Sequence, residues 1–195
     1  MTNGIVVVGA SLGGLSAFET ILLSLPASYP LPMAVVQHRM PDYRSRLAPL
    51  LQLYTALKVK EPLDKEPIRE GTVYVAPVDY HLMIEDGHFA LSTEAPVLAA
   101  RPSIDVLFET AADAFREKVI GVILTGASAD GAKGAAQIKQ NGGRILVQDP
   151  QTAESGVMPR AAISSANPDW VLPLHEIGPL LANIVQPSEQ YADSR

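Results

Sequence analysis

Ser11, His38 and Asp130 each stand just past a short, almost wholly apolar run: Gly4-Ile5-Val6-Val7-Val8-Gly9, Pro32-Met33-Ala34-Val35-Val36-Gln37, and Val119 to Leu124. Serine's hydroxyl is a weak nucleophile until a base takes its proton. Neutral histidine can take that proton and return it to a leaving group. A carboxylate bonded to the other ring nitrogen fixes the tautomer and stabilises the imidazolium. The three residue types are thus the parts of a nucleophile, its general base and the base's orienting acid, the chemistry of acyl hydrolysis. Gly13 and Gly14 leave space for backbone to approach a substrate at the start of a helix. Backbone N–H groups there can hold an oxyanion, an effect of ~3–4 kcal/mol per donor.

Each residue also has a plainer role. Ser11 suits the N-cap of the first helix, Asp130 before Gly131 suits a cap or turn, and His38 suits a hydrogen-bonded histidine near a strand end. Gly9-x-Ser11-x-x-Gly14 between a strand and a helix partly matches a dinucleotide fingerprint. Two features count against that reading. The middle glycine is Ser11, and the acidic residue expected after the second strand is replaced by Gln37-His38. There is no Walker loop, and His81, His88 and His175 lack metal-ligand spacing, so they are expected to be structural or exposed.

The elements that must position these residues follow from periodicity. Runs apolar at every position suit parallel strands covered on both faces. Leu15, Phe18, Leu22 and Leu25 recur at helical spacing before Pro26, and Leu47, Leu50, Leu51 and Tyr54 mark a second helix in which Pro49 fits only the first turn. The segments 71–77, 81–84 and 88–91 read as short strands of an antiparallel excursion, with Asp86-Gly87 as a hairpin turn. A helix bearing Ile104, Leu107, Phe108, Ala111 and Phe115 resumes the alternation. Strand 119–124, helix 132–140, strand 144–148, a short helix near 158–164, strand 170–172 and a last helix from His175 complete it. The expected fold is α/β: a doubly wound, mainly parallel sheet with an antiparallel hairpin, in three α/β/α layers. One domain is expected over 1–186, with a loose polar tail at 187–195. In such sheets ligands bind at the carboxyl ends of the strands, where Ser11, His38 and Asp130 all fall.

Composition narrows the function classes. The chain has 195 residues, 47% of them hydrophobic and 18% charged, which excludes intrinsic disorder. A net charge of −6 argues against nucleic acid as principal partner. No apolar run approaches the roughly eighteen residues of a membrane span. The first basic residue is Arg39, so no cationic signal region leads the chain, and a cytoplasmic protein is expected. With no cysteine, disulfides, thiolate catalysis and cysteine-ligated metal are excluded.

Gly-Ala-Ser-x-Gly-Gly at 9–14 resembles the catalytic domain of the CheB chemotaxis protein-glutamate methylesterases. So do Gln37-His38, Ala76-Pro77 with His81-Leu82, and Arg101-Pro102-Ser103-Ile104-Asp105 with Leu107-Phe108. Further matches are Leu124-Thr125-Gly126, Asp130-Gly131-Ala132-Lys133-Gly134, Gly142-Gly143 and Gly156-Val157-Met158-Pro159, in family order over roughly residues 4–185. The resemblance implies Ser11 as nucleophile, His38 as base and Asp130 as orienting acid, with the Leu12 and Ala127 N–H groups as oxyanion donors. It implies a substrate of methylated glutamates on cytoplasmic chemoreceptor helices, deamidation of particular glutamines, and no metal or organic cofactor.

Leu12 stands where the family usually has threonine, and Ala127 where it usually has methionine. These departures define the alternative, a catalytically weak or divergent homologue acting as a regulatory binding module or on a different ester. The sequence opens a few residues before the first strand, without the family's usual receiver domain, so either an excised domain or a stand-alone member is expected; the initiating Met1 favours the second, active constitutively or regulated by a partner in trans.

Overall fold

A strand that is apolar throughout needs cover on both faces, and β1 (Ile5–Ala10) is buried at every position. In the computed structural model, which describes residues 3–39 and 46–185, β1 lies at the centre of a seven-stranded sheet. The expected tail at 187–195, and Met40-Pro41 beyond the second strand, lie outside the described residues. After β1 come α1 (Gly14–Ser24), β2 (Met33–Gln37), the short α2 (Leu47–Leu51), β3 (Lys58–Lys60) and β4 (Thr72–Val75). The hairpin β5 (His81–Glu85) and β6 (His88–Ser92) stands apart from the main sheet. Then follow α3 (Ile104–Phe115), β7 (Val119–Ile123), α4 (Ala132–Gln140), β8 (Arg144–Gln148), α5 (Val157–Ala166), β9 (Trp170–Leu172) and α6 (Leu174–Val185).

The sheet order is β3-β4-β2-β1-β7-β8-β9, and every pairing is parallel. The chain winds outward from β1 through β2 to β4, then returns to the other side of β1 with β7. The strand order therefore reverses beside β1, the point where open α/β sheets bind ligands. Side chains alternate between two apolar layers. Ile5 and Val7 join Phe89, Leu107 and Phe108 on the α3–α4–α5 side, whereas Val6, Val8 and Ala10 join Phe18, Ile21 and Leu181 on the α1–α6 side. This is the three-layer α/β/α fold that the patterning predicts.

Three details differ from the sequence reading. Segment 72–75 is no part of an antiparallel excursion; it pairs parallel with β2 on one side and β3 on the other, and only β5 and β6 are antiparallel. Its four residues are all buried, which is the mark of a parallel strand. Strand β3 had no apolar signal because Lys58-Val59-Lys60 forms the sheet's edge, where charge is tolerated. Leu15 leaves the buried face of α1, which is made instead by Ala17, Phe18, Ile21 and Leu22, and stands 42% exposed. Pro49 occupies the first turn of α2, as its missing N–H requires.

Candidate active site

The loop after β1 is tied to both neighbouring strands. Ser11 N–H donates to the Thr125 carbonyl at 3.0 Å, and the Ser11 carbonyl accepts from Gln37 Nε2 at 2.7 Å and from Gly14 N–H at 3.0 Å. The Leu12 carbonyl accepts from Thr125 Oγ1 at 2.8 Å. With both carbonyls held back, the Leu12 N–H donates to no other described residue. Gly13 makes this turn at φ 79, a left-handed conformation that favours glycine. Gly13, and not Ser11, is the N-cap of α1, and no side chain caps that helix. The capping role for Ser11 is thereby excluded.

His38 extends the β1–β2 pairing by donating its N–H to the Ala10 carbonyl at 3.0 Å. Its Nε2 lies 2.8 Å from Asp130 Oδ2, with the histidine side chain 14% exposed and the aspartate fully buried. The ring must therefore carry its proton on Nε2, which leaves Nδ1 as the nitrogen able to accept one. Asp130 does not cap α4, whose N-cap is Gly131. Its carboxylate instead accepts from Ser103 Oγ at 2.8 Å, Ile104 N–H at 2.6 Å and Asp105 N–H at 3.0 Å, at the start of α3. Burial alone would raise the Asp130 pKa. The hydrogen bonds from His38, from the Ile104 and Asp105 amides and from the Ser103 hydroxyl outweigh it, and hold the carboxyl below the usual aspartate value. Asp130 thus stays ionised beneath His38.

The exchange between the two helix starts is reciprocal. Asp105, on the first turn of α3, accepts from Gly131 N–H at 2.9 Å and Gly134 N–H at 2.7 Å, at the start of α4. Burial pushes its carboxyl up to about 6, with the Asp130 and Glu109 charges adding to the rise and the two glycine amides opposing it.

Ser11 and His38 line one open cleft of about 590 Å³ at the carboxyl edge of the sheet, together with Leu12, Gln37 and Glu154. No hydrogen bond joins Ser11 Oγ to His38 among the described contacts, so the two side chains share the cleft without being bonded. Catalytic hydrogen bonds commonly tighten only when substrate is bound. Ala127 is exposed, and its N–H has no partner among the described residues. It does not line the cleft itself. Its neighbour Gly126 does pack against Ser11: a Cβ there would lie 2.9 Å from Ser11 Cβ.

Several parts of this arrangement have no signal as single residues. Gln37, Thr125, Ser103 and Asp105 act through partners that are distant in sequence, although Gln37-His38 and Arg101 to Asp105 stand within the family-like motifs. His81, expected to be structural or exposed, is buried: its Nδ1 accepts from Ser103 N–H at 3.2 Å and its Nε2 lies 3.2 Å from the Ala95 carbonyl. The partial dinucleotide motif has a local cause, since the space that Gly14 leaves open is filled by the Gln37 carboxamide.

The CheB methylesterase family model matches residues 6–181. A protein of Leptospira interrogans is 47% identical over 182 residues, covering 93% of this chain and 94% of the relative. The protein-glutamate methylesterase/protein-glutamine glutaminase of Symbiobacterium thermophilum is 38% identical, over 93% of this chain and 50% of its own length. The crystal structure of the Thermotoga maritima CheB methylesterase catalytic domain superposes with a TM-score of 0.90 at 36% identity, covering 95% of this chain and all of that one. The chain therefore spans about half the length of the Symbiobacterium relative and the whole of the solved catalytic domain. With the family model matched over residues 6–181 and the fold superposing on the solved catalytic domain, the chain belongs to the CheB methylesterase family.

Proposed function

We propose that the protein hydrolyses methyl esters of glutamate side chains, and deamidates glutamine side chains, on the cytoplasmic helices of chemoreceptors. Ser11 is the nucleophile, His38 the base and Asp130 its orienting acid. Ser11 Oγ attacks the ester carbonyl as its proton passes to His38 Nδ1, and the new C–O bond leaves a tetrahedral oxyanion. The free N–H groups of Leu12 and Ala127 are the donors for that oxyanion, and neither depends on the identity of its own side chain. Collapse breaks the bond to the methoxy group, which leaves as methanol with the proton from His38. Water, deprotonated by the same nitrogen, then frees the glutamate and restores Ser11. With a glutamine side chain the leaving group is ammonia.

The observation that carries this reading is the buried Asp130 bonded to His38 Nε2 at 2.8 Å, at the cleft that Ser11 also lines. In the described residues no helix is long and apolar enough to cross a membrane, in keeping with an enzyme that meets its substrate in the cytoplasm. The mouth of the cleft carries Leu12 and Leu15, 52% and 42% exposed, an apolar rim suited to a substrate helix and to a regulatory partner acting in trans.

Incubating the purified protein with a methyl-labelled receptor cytoplasmic fragment tests the reading. Methanol release is expected from the wild type and not from Ser11→Ala. Equal release from a folded Ser11→Ala variant would overturn the assignment.

A further inference from the structure

We propose that Gln37 is a positioning residue that holds the nucleophile and base loops in register, and that residue 14 is glycine in order to seat it. This rests on the roles proposed for Ser11 and His38. Gln37 closes β2 directly opposite Ala10, the last residue of β1. Its side chain lies beside the loop that follows. The two hydrogens of its amide are both used: Nε2 donates to the Ser11 carbonyl at 2.7 Å and to the His38 carbonyl at 2.8 Å. One planar group thus spans the backbone of the nucleophile and the backbone of the base, which come from different strands.

The orientation of this amide is determined by chemistry. Turned over, its oxygen would face two carbonyl oxygens and its NH2 would lose both acceptors. In the orientation that satisfies Nε2, Oε1 is buried with no hydrogen-bond partner among the described residues. A buried acceptor without a donor does not favour an orientation by itself, so the two Nε2 bonds are what fix the amide this way round. A Cβ at position 14 would overlap Gln37 Oε1 and would lie 2.9 Å from Gln37 Cδ and 2.7 Å from Ala10 Cβ. Gly14 has no positive φ, so its lack of a side chain is a matter of space for the carboxamide.

The consequence is geometric. Ser11 Oγ must reach His38 Nδ1 when substrate binds, and beyond the His38 N–H bond to the Ala10 carbonyl that ends the strand pairing, no described backbone hydrogen bond joins the loop at 11–14 to the His38 backbone. With the clamp gone they can drift apart by a fraction of an ångström or more, and a misplacement near 1 Å costs about 100-fold in rate. Both hydrogens of the Gln37 amide are spent on backbone carbonyls, so ester binding should be spared.

Gln37→Leu, which keeps the bulk and removes both the donor and the orphaned acceptor, tests this in the full chain. The expected result is kcat for methyl-ester hydrolysis lowered about 100-fold with KM within about twofold, an unchanged melting temperature, and faster hydrogen exchange at the Gly14 amide that donates to Ser11. Gly14→Ala, which leaves Gln37 intact but displaces it, should lower kcat in the same way and serves if Gln37→Leu does not fold. Wild-type kcat in a folded Gln37→Leu or Gly14→Ala variant would overturn the clamp. If the wild type releases no more methanol than Ser11→Ala, the proposed function fails. The clamp is then judged on the Gly14 amide: faster exchange in Gln37→Leu upholds it and unchanged exchange refutes it.

Discussion

Replacing Asp105 with asparagine should make the protein more stable at neutral pH. A single oxygen of Asp105, Oδ1, accepts both the Gly131 and the Gly134 N–H groups, and an asparagine Oδ1 can accept the same pair. What the substitution removes is a negative charge that is 5% exposed and close to Asp130. The carboxyl titrates near 6 in the fold against 3.8 for the unperturbed group, chiefly because burial disfavours its ionised form. The folded pKa lies above the unfolded one, so ionisation costs stability above pH 6 and that cost disappears as pH falls towards 4. At about 1.4 kcal/mol per pH unit, the difference amounts to about 3 kcal/mol at pH 7.5 and about 1 kcal/mol at pH 4.5. Urea unfolding of wild type and Asp105→Asn at the two pH values reads this directly. The variant should have the higher midpoint at pH 7.5, and the gap should narrow to roughly a third at pH 4.5. A variant less stable than wild type at pH 7.5 would refute the reasoning, and would mean that Asp105 contributes more as a charged cap of α4 than it loses by burial. An advantage equal at both pH values would refute it too, because uncharging would then not be its source.

Asp130→Asn should lower methanol release by about four orders of magnitude, the effect of losing the orienting acid in related triads, since an amide NH2 must face either His38 Nε2 or the donors at the start of α3; release within tenfold of wild type would count against Asp130 as that acid. Tyr29→Phe should be neutral or should stabilise by up to about 1 kcal/mol, because the Tyr29 hydroxyl is buried with no hydrogen-bond partner among the described residues. A lowered melting temperature would show that this hydroxyl is satisfied. Gly121→Ala should cost about 1–3 kcal/mol in urea unfolding, as its Cβ would lie 2.5 Å from Ile145 Cδ1 and 2.9 Å from Ile138 Cδ1 under α4.

What was legible in the residues was the part that depends on local chemistry. Strands at 5–10, 33–37 and 119–123 announce themselves because a strand covered on both faces must be apolar throughout. Once those strands are placed, Ser11, His38 and Asp130 follow at their carboxyl ends, and the family-like motifs fall at the same loops. Segment 72–75 was recognisable as a strand, but its parallel direction is set by β2 and β3 on either side of it, and β3 itself, Lys58-Val59-Lys60, carries no apolar pattern. The sequence also left Ser11, His38 and Asp130 each with a capping or structural alternative. Only the tertiary structure decides which hydrogen bonds these loops make, because the donors and acceptors that meet are 22 to 113 residues apart. It turned Asp130 from the helix it precedes to the start of α3, seated the Gln37 amide over Gly14, and presented Nε2 rather than Nδ1 of His38 to Asp130. Periodicity determines which faces are buried; hydrogen-bond partners are settled only when strand register brings distant loops to the same edge of the sheet.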